Sequence, residues 1–334
     1  MKKYVALAIL IGGLFFAIRG CEPAPEPAPP PSQQFFGWEP DRQGVQDFLD
    51  TLPHPEFESA APDLVVTEQP VLLYRALPAT YRNEAQQIGD CVSWAAKHAV
   101  DILLGIDFKN GRSDRFVEAS SESLYGGSRV EGRGRPEGSG GYRDGSYGGA
   151  VCKWMLNYGV VYRDQYQSPN GLIDLLKYSG QRAKDWGNFG NGGRNDKGWL
   201  DNVAKQHPVK AVARINTWED AVKALQNGYP IVICSGIGWT SERTDANGFI
   251  PRSGSWSHAM CICGVRFDIP GMLIMQSWGE RGHPDQSRGI WPEDQPKGTW
   301  WAYKKDVEAV FAQGDSWAIS GVQGFPPRKM HVGW

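Results

Sequence analysis

Residues 86–105 read QQIGDCVSWAAKHAVDILLG, and the reading of the whole chain turns on them. Apolar residues fall at 92, 95, 96, 99, 102 and 103, the three-to-four spacing of a helix. The pattern predicts a helix that opens at Cys91, behind Gly89-Asp90, and stops at Gly105. A thiol in the first turn faces the positive end of the helix dipole, which favours the thiolate. A thiolate nucleophile also needs a group to take and return a proton. His258 stands far downstream in a strand-like run, with Gln276-Ser277-Trp278-Gly279 after it. An amide at Gln276 can accept the imidazole N–H and fix its tautomer.

Outward from that helix, 150–158 reads as a second one closed by Gly159. Thr217-Trp218-Glu219-Asp220 opens a third, which runs to Asn227 and stops at Gly228. Residues 230–235, 257–266, 272–277 and 299–303 read as strands. Helices early and strands late imply an α+β fold with two unlike halves. Residues 126–149 hold ten glycines and read as an irregular loop. No Lys-Ser/Thr pair follows those glycines, which excludes a phosphate loop. Residues 168–200, rich in Gly, Asn and Asp, also read as loop.

The chain has 334 residues with 35 Lys plus Arg against 37 Asp plus Glu, a net charge of −2. That balance gives no footing to nucleic-acid binding. Lys2 and Lys3 precede an uncharged run over 4–18, which has the length of a signal segment and falls short of a spanning helix. The following Gly20-Cys21 resembles a bacterial lipoprotein signal, with Arg19 departing from it. The expectation is export, to a bacterial cell envelope through a lipid or short N-terminal anchor, or secretion. Residues 1–21 are then the signal, and 22–34, with six prolines, are a semi-rigid linker. Residues 35–68 are left unassigned, as a short pro-segment or a packed loop. Of the six cysteines, Cys152, Cys234, Cys261 and Cys263 are read as core. Cys261 and Cys263 have no further ligands at metal-site spacing, so neither a metal nor an organic cofactor is implied. His98 is read as structural or surface.

The stretch around Cys91 is similar to the nucleophile segment of papain-like cysteine peptidases. The similarity continues in order. Ser121-Glu122-Ser123-Leu124 resembles the segment after the family's central helix, and Gly148-Gly149 with 158–166 resembles its cleft border. Residues 221–232, Ser257-His258-Ala259 and Gln276-Ser277-Trp278-Gly279 resemble its later helix and strand, its histidine strand and its Asn-Ser-Trp-Gly motif. The resemblance implies one papain-like domain over 69–334, with a helical lobe at about 80–205 carrying Cys91. An antiparallel β-sheet or barrel lobe over 206–334 would carry His258 and Gln276. It implies Cys91 as nucleophile, His258 as general acid/base and Gln276 in place of the orienting Asn. Gln86, with the Cys91 N–H, would bind the oxyanion. Ala85 stands where the family has that Gln, so Gln87 is the other candidate. Val92 stands where the family often has Trp. Gly148, Gly149, Ser257 and Trp278 would meet an extended peptide, and Trp278 would also shield the His258–Gln276 bond. The expected activity is hydrolysis of polypeptide substrates by a monomer. Two rivals share the pattern: a papain-like protein that binds peptides without cutting them, and a cell-wall amidase with the same Cys–His chemistry.

Overall fold

The computed structural model describes residues 35–67, 69–134, 144–241, 243–280, 290–321, 323–331 and 333. The expected signal and linker at 1–34 lie outside the described residues. Two short helices come first, α1 (Arg42–Leu49) and α2 (Phe57–Ala60). The Asp41 carboxylate caps α1 by accepting the Gly44 N–H at 2.8 Å. Buried Phe48 and Phe57 fasten this segment to the body through ring contacts with Trp317 and Phe325. Then follow β1 (Val71–Leu72), α3 (Cys91–Lys109), α4 (Ser121–Gly127), α5 (Gly148–Tyr158), the hairpin β2 (Gln165–Ser168) and β3 (Gly171–Asp174), α6 (Gly180–Phe189) and α7 (Trp199–Ala204). The second half contains β4 (Val212–Arg214), α8 (Trp218–Gln226), β5 (Ile231–Ile237), β6 (Ser255–Arg266), β7 (Gly271–Met275), β8 (Thr299–Tyr303), α9 (Lys304–Phe311) and β9 (Ser316–Ile319).

The result is an α+β fold of two lobes, one of helices and one built on an antiparallel sheet. The sheet runs β4-β9-β5-β6-β7-β8, and β1 pairs with the far end of β6. Because β1 comes from before the helical lobe, the sheet lobe draws on both ends of the sequence. Strand β6 is its spine. Its first half pairs with β5, Cys234 facing Ala259 and Ser235 facing His258, and its second half pairs with β7. The β5 register shifts between Ser235 and Ile237, a bulge that bends the strand beside the site. Helix α3 is buried on almost every face, as befits a helix enclosed by both lobes, and it lies against β6.

Three sequence expectations need correction. Helix α3 does not stop at Gly105 but runs to Lys109. A Cβ at Gly105 would lie 2.7 Å from the Ala76 carbonyl, so this glycine permits close packing. The glycine run from 126 is helical as far as Gly132, where α4 passes into a wider π turn. Gly127 sits there because a Cβ would enter the Trp154 ring. Within 168–200, α6 forms where a loop was expected. Ser179 caps it by accepting the Arg182 N–H, and Trp186 anchors its buried face. Residues 135–143 of the glycine-rich stretch lie outside the described residues.

Candidate active site

The site forms where the start of α3 meets β6. Asp90 precedes the helix, and its carbonyl accepts the Ser93 and Trp94 N–H groups at 2.9 and 3.2 Å. Its side chain instead accepts the Tyr178 hydroxyl at 2.9 Å. Cys91 opens the helix, buried, with the Ala259 N–H aimed at its sulfur. His258 is the neighbour of Ala259 on β6, so the strand that carries the imidazole is the one whose main chain reaches the thiol. The His258 ring stacks on Trp278 at 4.5 Å and 24° and takes the edge of Trp256 at 5.6 Å.

The two glutamines diverge. Gln86 is buried, and its Nε2 donates to the Ile88 carbonyl at 2.7 Å. Its Oε1 accepts the Ser277 hydroxyl, and its backbone N–H donates to the Ser277 carbonyl at 2.8 Å. Gln86 is therefore clamped to the Gln276-Ser277-Trp278 loop, with a second amide hydrogen left to donate. Gln87 turns away, its Oε1 accepting the Gly180 N–H at the start of α6. Of the two, Gln86 is the one tied to the loop that follows Gln276. Gln276 is buried and its Oε1 accepts the Trp278 N–H, so its carbonyl folds back along its own chain.

An extended peptide lies over the thiol, and it comes from this chain. The Gly37 and Trp38 N–H groups donate to the Ser257 carbonyl at 3.0 and 3.1 Å on one wall. On the other wall the Ser146 N–H donates to the Gly37 carbonyl at 2.9 Å, and the Glu39 N–H to the Ser146 carbonyl at 2.8 Å. Trp38 and Ser146 pair in parallel. The Trp278 indole N–H donates to the Phe35 carbonyl at 3.0 Å, and the Phe36 ring meets His258 and Trp278 edge-on at 5.9 and 5.6 Å. A Cβ at Gly37 would lie 1.8 Å from the Gly89 carbonyl, so only glycine passes that point. Burial under this lid pushes the Cys91 thiol up to about 12; the Ala259 and Gly37 N–H groups pull it down, and Asp90 pushes it up. The sequence expectation of a lowered thiol pKa is reversed in this state.

No protein-family model matches the chain, and no curated protein matches it. Solved structures do. Xylellain, a cysteine protease from Xylella fastidiosa, aligns with a TM-score of 0.51 at 16% identity, over 87% of this chain and 94% of that one. Procathepsin B S9 from Trypanosoma congolense aligns at 0.50 and 13% identity, over 86% of each. The fold is papain-like. Identities this low carry the architecture and leave the chemistry to the residues themselves.

Residues 35–38 touch Ser257, His258, Trp278 and Cys91, while Gln86 is bonded to Ser277 and Gln276 is buried. Gly148 and Gly149 serve otherwise than expected. They start α5, and their N–H groups donate to Asp315 at 2.8 and 2.9 Å, while Ser146 supplies the wall that pairs with the peptide. Their lack of a side chain still matters, since a Cβ on Gly148 would meet Asp315 at 2.6 Å. His98 is buried, and burial pushes its pKa down to about 3, so it stays neutral inside the helical lobe. Sequence reasoning missed Trp38, Ser146, Trp256 and Asp315. The aromatic cluster Phe35-Phe36-Gly37-Trp38 after a proline tract was a usable signal for the first; the lone acid in 311–320 gave none for the last.

Proposed function

We propose that the protein is a cysteine peptidase acting on polypeptides, and that residues 35–39 hold it latent. One observation carries the reading: the groove over Cys91 binds an extended main chain through hydrogen bonds on both walls. Hydrogen bonds of that kind recognise peptide main chain. With the segment withdrawn, His258 takes the Cys91 proton and the thiolate attacks the substrate carbonyl carbon. The Gln86 amide and the Cys91 N–H hold the oxyanion. His258 returns the proton to the leaving amine as the C–N bond breaks, and water then hydrolyses the thioester. Trp278 supports the imidazolium that exists between those steps.

The test is covalent labelling by a peptidyl epoxide, read by intact mass and peptide mapping, after the segment has been loosened. One adduct on Cys91, absent in Cys91→Ala and slowed at least tenfold in His258→Ala, supports the reading. A folded, opened protein that takes no adduct favours the second reading, a peptide-binding protein that does not cut. The raised Cys91 pKa and the inward turn of the Gln276 carbonyl are what favour that alternative.

The same proposal has the protein working outside the cytoplasm, held by a lipid on Cys21 or a short N-terminal anchor. The uncharged run over 4–18 and the Gly20-Cys21 pair support it. Mass spectrometry of the mature N-terminus tests it: a lipidated N-terminal Cys21 supports the lipid anchor, and an unmodified Cys21 counts against it.

A further inference from the structure

The Trp38 side chain is buried, in a pocket that ends at Asp315. Its indole N–H donates to Asp315 Oδ2 at 2.9 Å in the interior. Asp315 is 3% exposed and holds three further donors. The Gly148 N–H reaches the same oxygen at 2.8 Å, while the Gly149 N–H and the Trp317 indole N–H reach the other at 2.9 and 2.7 Å. Those three donors belong to α5 and β9, fixed parts of the body. The fourth sits on the segment that must leave before a substrate can enter. A buried carboxylate that loses a donor is left with an unmet acceptor, and an apolar replacement cannot meet it. A side chain that restores the N–H is therefore favoured over one of equal size without it.

We propose that this pocket is a selectivity subsite for the substrate peptide and that Asp315 is its specificity-determining residue. It selects a flat or slender side chain ending in an N–H donor, of which tryptophan is the type seen in place. The word substrate rests on the peptidase reading; the preference for an N–H donor does not. The geometry also separates two properties of the blocking segment. Its main chain is read by Ser146 and Ser257, and its identity by Asp315.

The test uses the full chain carrying Gly37→Ala and Trp38→Ala, which frees the groove and empties the pocket, with circular dichroism to establish that it is folded. Alkylation of Cys91 by iodoacetamide is followed by mass in the presence of peptides of sequence QFFGXEP, copied from residues 34–40. X is tryptophan or 3-benzothienylalanine, which keeps the outline of indole and replaces the N–H with sulfur. The tryptophan peptide should protect Cys91 at a concentration about 10- to 100-fold lower, the range for a hydrogen bond to a buried charged group. Equal protection by the two peptides, or protection by neither, overturns the proposal. Hydrolysis of the peptides is read separately in the same samples. A protection ranking without hydrolysis keeps the subsite and removes the peptidase; hydrolysis with equal protection does the reverse.

Discussion

The helix dipole and burial pull the Cys91 thiol in opposite directions, and in this state burial wins. A dipole is worth about 0.3–1 kcal/mol at a helix end, whereas removing water from a thiolate costs several times that. On the proposed reading, opening the groove would return water to the sulfur and let the dipole and His258 act. Gln86 is the residue through which the oxyanion chemistry is most directly tested. Its side chain is fixed at one end by Ser277 and at the other by Ile88. In an opened variant, Gln86→Ala should lower kcat about 100-fold with little change in KM, because the lost donor acts on charge that develops only in the transition state. Peptide hydrolysis rates at saturating and limiting substrate check this, and a change confined to KM would remove Gln86 from the oxyanion hole. At this scale the sequence was legible in position: Cys91 does open a helix and His258 does lie on a strand. It was silent on Asp315, whose donors come from α5, β9 and the N-terminal segment. Only the fold brings those three together.

Among the elements, α3 bears the strongest internal constraint. Lys97 is 1% exposed on the helix that presents Cys91, and its ammonium reaches Asp101 and Glu118, each at 2.6 Å. The Tyr81 and Trp94 rings flank the charge at 5.1 and 5.7 Å. Asp101 in turn accepts the Ala119 N–H at 2.7 Å and the Tyr81 hydroxyl at 3.1 Å, tying α3 to the strand-like lead into α4. Lys97→Met should destabilise the fold by about 3 kcal/mol at neutral pH, since it leaves a buried carboxylate without its cation. Burial already pushes Asp101 up to about 6, with Lys97 holding it down. Without Lys97 that pKa rises further. The penalty is therefore largest above it and shrinks as the pH falls and the carboxyl takes a proton. Urea midpoints at pH 7.5 and 5.5 check the sign, and a penalty that grows on acidification would refute the assignment. Adding Asp101→Asn should recover most of the loss, because the amide oxygen still accepts from Ala119. Elements with a clean period or cap, such as α3 and α8 behind Thr217, were readable in the sequence. Helix α6 was not, because its two glycines, Asp185 and Asn188 mimic loop composition while Trp186 supplies most of its buried anchor.

Across the whole molecule, the proposed latency is a matter of where 35–39 lies, and Gly37 is its weakest point. The segment crosses above Cys91 with its main chain against the main chain of Gly89, which has no side chain to move aside. Gly37→Ala adds one methyl group where the gap is 1.8 Å and so forces the segment out of the groove. Cys91, His258 and Gln86 are untouched, and α1 and α2 still hold residues 42–60 on the body. The unsubstituted protein should react slowly with iodoacetamide at pH 9, where an ordinary cysteine is largely thiolate, because burial holds Cys91 near 12. Gly37→Ala should raise that rate at least 100-fold at neutral pH and move the midpoint of the pH–rate curve below the ordinary thiol value. Both rates should be independent of protein concentration, since the block is intramolecular. An unchanged rate in a folded Gly37→Ala protein would mean that the segment does not control access to Cys91. A faster rate with an unshifted midpoint would mean that opening exposes the thiol without engaging His258, and that outcome would turn the reading from peptidase to peptide-binding protein.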